Sequence, residues 1–150
     1  MRVLIVEDRP LDGMDLEEVV VLAGHQVTGW ATTLRNAMAL VEARPPDLAF
    51  VNNHLRDGGN RTEFSRRLAE RGVAVVITTP RPDQIDDQEH ILGVMPKPFA
   101  TETVQEVLHL ASPPPAGIDA TRAIDSVPVF NPSSCRDAFL TFVHATLAEP

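Results

Sequence analysis

Short apolar runs alternate with stretches of helical periodicity over residues 1–111, and this alternation constrains the fold more than any other feature of the chain. The run in "RVLIVED" is continuous rather than alternating, as expected of a strand covered on both faces. "HQVTGWA", "PDLAFVN", "VAVVITT" and "ILGVMPKPF" read as four more strands. Helices are predicted between them. In "RPLDGMDLEEVVVLAG", Pro10 suits a first turn, Leu11, Met14, Val19 and Leu22 recur at helical spacing, and Gly24 stands at the end. "TTLRNAMALVEARPP" has Thr32 or Thr33 as N-cap and Leu34, Ala37, Met38 and Val41 on one face. "NRTEFSRRLAERG" turns Phe64 and Leu68 inward, and "ATETVQEVLHLA" is a helix capped by Thr101. "PRPDQIDDQEH", the fourth inter-strand segment, has two prolines and no clear apolar face, so a short or mobile element is expected there.

Repeated βα units imply an α/β fold, with a parallel sheet and helices on both faces. In such a sheet the functional site lies beyond the carboxyl ends of the strands, at the switch in strand order. "SPPPAG" then breaks the pattern, giving an α/β domain at 1–111, a proline-rich linker at 112–132 and an amphipathic helical tail at 133–150. The tail places Phe139, Leu140, Phe142, Val143 and Leu147 on one stripe. Such a helix must pack on something, its own domain, a second copy or a partner.

The formal net charge of -8 argues against direct binding to nucleic acid or to an anionic membrane. The single cysteine, Cys135, excludes an intramolecular disulfide. No segment reaches the roughly 18 apolar residues of a membrane span, so the expected setting is the cytoplasm.

The strand ends collect the chemistry. Glu7 and Asp8 follow the first strand, Asn52 ends the third, Thr79 ends the fourth, and the fifth leads into Lys97-Pro98. Adjacent carboxylates with neighbouring oxygens suit a hard cation such as Mg²⁺. A hydroxyl and a lysine beside it suit a bound phosphoryl group.

In these landmarks, "VLIVEDRP", "PDLAFVNNHLRDG", "VAVVITT" and "MPKPF", the chain resembles the receiver domain of two-component response regulators over residues 1–111. The resemblance implies a flavodoxin-like doubly wound fold with strand order 2-1-3-4-5. It implies that Glu7, Asp8, the residue at 52 and the backbone carbonyl of His54 ligate Mg²⁺, and that Thr79 and Lys97 contact the phosphoryl group. A cis bond before Pro98 is implied as well. The implied partners are a histidine kinase or another signalling protein, or a second copy docked through the face of helix four, strand five and helix five. No enzymatic activity of its own is implied.

The phosphoacceptor position departs from the family. Asn52 stands where the resemblance requires an aspartate, and a neutral carboxamide cannot form an acyl phosphate. It also brings one negative charge fewer to Mg²⁺, so any binding should be weak. Val94 stands where the family usually carries an aromatic switch residue, Arg56 where a loop proline is common, and Pro80-Arg81-Pro82 where small residues are usual. Two accounts follow. One is an atypical receiver that acts by protein–protein interaction; the other is an ordinary phosphoryl-accepting receiver whose aspartate has been replaced. Asp57 in the following loop and nearby His54 are candidate substitute acceptors, but neither ends the strand. A metal-dependent phosphatase or nucleotide enzyme is the reading of another class, but neither a GxxxxGK[ST] loop nor a strand-following GxGxxG is present.

Overall fold

The computed structural model describes residues 1–112. The tail 133–150, Cys135 and all of the linker after Ser112 lie outside the described residues. Five strands form one parallel sheet in the order β2-β1-β3-β4-β5: β1 (Arg2–Val6), β2 (Gln26–Ala31), β3 (Leu48–Asn52), β4 (Ala74–Thr79) and β5 (Gly93–Pro96). The helices are α1 (Pro10–Leu22), α2 (Leu34–Ala43), α3 (Arg61–Glu70) and α4 (Thr101–Ala111).

Side chains alternate across the sheet and build two cores. Val3, Ile5, Leu48, Phe50 and Val76 face α1 and α4, meeting Leu16, Val20, Val104, Val107 and Leu108. Leu4, Val6, Ala49, Val51, Val75 and Ile77 face α2 and α3, meeting Ala37, Met38, Val41, Phe64 and Leu68. This double covering explains the unbroken apolar runs.

Local signals set most helix ends. Thr33 and Asn60 cap α2 and α3 by accepting hydrogen bonds from the Asn36 and Glu63 amides. Pro10 opens α1, and Gly24 and Gly72, at φ +85° and +73°, turn the chain after α1 and α3 in the left-handed region that glycine tolerates. Thr101 does not cap α4. It is the first helical residue, and the cap position belongs to Ala100 without a side-chain bond.

The segment after β4 forms one 3-10 turn, Pro82–Gln84, the short element expected there and not a full fourth helix. The surface expected from helix four, strand five and helix five is therefore made by this turn, β5 and α4. The inward stripe expected on α1 also differs. Gly13, Leu16 and Val20 are buried, while Leu11, Met14 and Leu22 are 76%, 56% and 78% exposed. The run Val19–Leu22 is apolar all round the helix, so its periodicity selects no single face, and packing against β1 and α4 makes the choice.

Candidate functional site

β1 lies between β2 and β3, so the order reverses there and a crevice opens at the carboxyl ends of β1 and β3. Glu7, Asp8, Asn52 and Lys97 meet in it, from parts of the chain as much as 90 positions apart.

Glu7 is 1% exposed, yet both of its carboxylate oxygens are satisfied. Oε1 accepts from the Arg9 amide at 3.0 Å and from Asn52 Nδ2 at 3.0 Å; Oε2 accepts from Lys97 Nζ at 2.6 Å. Asp8 is served from two sides. Its Oδ1 accepts from Asn52 Nδ2 at 3.2 Å and its Oδ2 from the Arg56 amide at 3.0 Å, with Arg56 Nε at 3.5 Å. Charge-assisted bonds of this kind offset the cost of burying carboxylates.

Asn52 is nearly buried and makes a closed set of bonds. Besides the two carboxylates, Nδ2 faces the His54 carbonyl at 3.4 Å, while Oδ1 accepts from the His54 amide at 3.3 Å. The His54 ring turns away to Asn53 Nδ2, at 3.2 Å.

Lys97 enters from the loop after β5, beyond which the Lys97–Pro98 peptide bond is cis. Its ammonium donates to Glu7 and, at 3.0 Å, to Asp12 Oδ2. Asp12, in the first turn of α1, escaped the sequence reading because nothing in its spacing marks it as the second partner of a lysine that far along the chain.

Thr79 is fully buried, and its hydroxyl accepts from the Arg81 amide at 3.1 Å. The register pairs Asn52 with Thr78. Paired residues of a parallel sheet share a face, so Thr78 lies on the side of Asn52 and Thr79 on the other. The residue expected from the sequence to contact a phosphoryl group is Thr79; the pairing puts Thr78 instead on the face of Asn52, a distinction that two threonines in succession do not show. Val94, at the usual aromatic position, is buried and packs into the α2–α3 core. Trp30, the sole tryptophan, also belongs to the site: its Nε1 donates to the Glu7 carbonyl at 2.8 Å.

The arrangement is a pocket of three carboxylates, Glu7, Asp8 and Asp12, with Lys97 and Arg56 as counter-charges and the neutral Asn52 carboxamide as a hydrogen-bond donor. No helix among the described residues is long and apolar enough to cross a membrane.

No protein-family model matches the chain. It is 31% identical over 113 residues to the phyllosphere-induced regulator PhyR of Methylorubrum extorquens, an alignment covering 73% of this chain and 42% of that protein. The chain spans about half the length of the curated relatives it matches. Among solved structures, SdrG of Sphingomonas melonis is 32% identical with a TM-score of 0.64, covering 73% of this chain and 93% of that one. The receiver domain of the PhyR response regulator from Erythrobacter litoralis is 28% identical with a TM-score of 0.67, covering 78% and 95%. Fold, strand order, acidic crevice and these relatives agree: the chain belongs to the response-regulator receiver family, a non-enzymatic signalling domain of two-component systems.

Proposed function

We propose that this protein is an atypical receiver that signals by binding a partner protein, without phosphorylation at the usual position. The observation that carries this reading is Asn52 itself. A carboxamide ends β3 where the chemistry needs a carboxylate nucleophile, and its nitrogen donates to Glu7 and Asp8. Val94 supports it, since an aliphatic side chain seated in the core cannot swing as an aromatic switch. Any Mg²⁺ held by Glu7, Asp8, Asn52 and the His54 carbonyl is bound weakly, because residue 52 contributes no charge. The partner is a histidine kinase or another signalling protein, or a second copy; β5, an edge strand, and α4 form the docking face.

The test is acceptor chemistry. Incubation of the full chain with Mg²⁺ and acetyl phosphate, read by intact mass and peptide mapping, is expected to leave residue 52 unmodified, and a stoichiometric phosphoryl adduct there overturns the proposal. The retained Glu7, Asp8 and Lys97 favour a second reading, an ordinary receiver whose aspartate was replaced. An aspartate codon at position 52 of the gene would establish it.

A further inference from the structure

The groups that Asn52 Nδ2 donates to are the ones assigned to the metal by the family resemblance. Glu7 Oε1, Asp8 Oδ1 and the His54 carbonyl stand at 3.0, 3.2 and 3.4 Å from this one nitrogen. Three oxygens that would converge on a cation converge instead on an NH₂ group.

We propose that the Asn52 carboxamide nitrogen takes the place of the divalent cation, so that this pocket is built to stand without one. Loss of a negative charge only weakens metal binding, whereas a donor aimed into the oxygen set opposes it. A Mg²⁺ ion requires oxygens at about 2.0–2.1 Å, and amide hydrogens directed into the same space repel it. Entry therefore requires the carboxamide to turn over and present Oδ1. That rotation breaks the bond from the His54 amide to Oδ1 and sets NH₂ against N–H at that contact. Lys97 already holds Glu7 Oε2, and the Arg56 amide holds Asp8 Oδ2. Each carboxylate oxygen of the acidic pair thus has a donor from the chain itself, and the residues do not fit Mg²⁺ in the arrangement they adopt.

This inference deepens the proposed function and rests on the native chain carrying Asn52. It also separates two causes that a simple comparison with aspartate confounds. If missing charge were the whole effect, Asn52→Ala, equally uncharged, would bind Mg²⁺ no better than the native chain. If the carboxamide obstructs the site, Asn52→Ala empties it and binds better.

The experiment titrates MgCl₂ into the full-length chain and follows the emission of Trp30, whose indole is bonded to the Glu7 carbonyl. The native chain is expected to show no saturable change up to about 10 mM, while Asn52→Ala and Asn52→Asp saturate at concentrations at least about tenfold lower. Native binding as tight as that of Asn52→Ala overturns the inference. Should the variants fold poorly, the native chain alone decides. The side-chain NH₂ resonances of Asn52 are expected to be shifted by their anionic acceptors and unmoved by MgCl₂; a Mg²⁺-dependent shift of both overturns the inference. Failure of the functional proposal is read separately, as a phosphoryl adduct at residue 52. Mg²⁺ binding by the native chain without an adduct overturns only the cation-replacement inference.

Discussion

Lys97 Nζ lies 2.6 Å from Glu7 Oε2, with the lysine side chain 8% and the glutamate 1% exposed. This pair joins the first strand to the last. Removing one member of a buried pair leaves a charge without a counterion. Lys97→Met is expected to cost about 3–5 kcal/mol in urea unfolding, and Glu7→Gln together with Lys97→Met to recover much of that loss. A double variant as unstable as the single one would show that the pair is not the source of the cost.

Gly13 presents two opposing effects. Alanine in a helix interior gains about 1 kcal/mol over glycine. Here its Cβ would lie 2.2 Å from Cζ2 of Trp30, a ring tied at Nε1 to the Glu7 carbonyl. Gly13→Ala is therefore expected to destabilise by about 1–2 kcal/mol and to shift Trp30 emission to the red as the indole moves out. A thermal midpoint above that of the native chain would mean that helix propensity wins.

The two faces of α1 should respond differently. Leu16 is 1% exposed and Leu22 is 78% exposed. Leu16→Ala is expected to cost about 2–5 kcal/mol, and Leu22→Ala to stay within about 0.5 kcal/mol, by denaturant midpoint. Equal costs would place the periodic stripe read from sequence in the core after all.

Asp87 fastens the loop that replaces a fourth helix. Its carboxylate accepts from the Glu89 amide at 3.0 Å and from the Thr62 hydroxyl at 2.8 Å, and its carbonyl accepts from Arg61 at 3.3 Å. The Glu89 amide first, then the Thr62 hydroxyl, and after these the charges of Arg61 and His90, hold its pKa below the ordinary carboxylate value. A depressed folded-state pKa means that the contribution is present above the unfolded-state value and lost as pH falls through the folded-state one. Asp87→Ala is expected to speed amide exchange across 80–92 near neutral pH while leaving β1 unchanged. The stability difference from the native chain should vanish as the pH is lowered past that range. A difference that persists in acid would assign the effect to something other than the carboxylate.

Much of this protein is legible along the chain because its causes are local. A doubly covered strand needs an unbroken apolar run, as in Leu48–Val51, and a helix start needs a cap such as Thr33 or Asn60. Alternation of such elements leads to a parallel sheet, and the positions of Glu7, Asp8, Asn52 and Lys97 at strand ends follow from it. Other features depend on pairings that spacing does not encode. Which face of α1 is buried follows from its seat against β1 and α4, and which threonine shares the side of Asn52 follows from strand register. Asp12 meets Lys97, and Trp30 meets Glu7, only once the sheet is assembled. The sequence by itself determined that residue 52 cannot form an acyl phosphate, since that is a property of the carboxamide. Only the tertiary structure decided where its nitrogen points, because the fold brings its three acceptors, two just after β1 and one just after β3, within hydrogen-bond reach of that nitrogen.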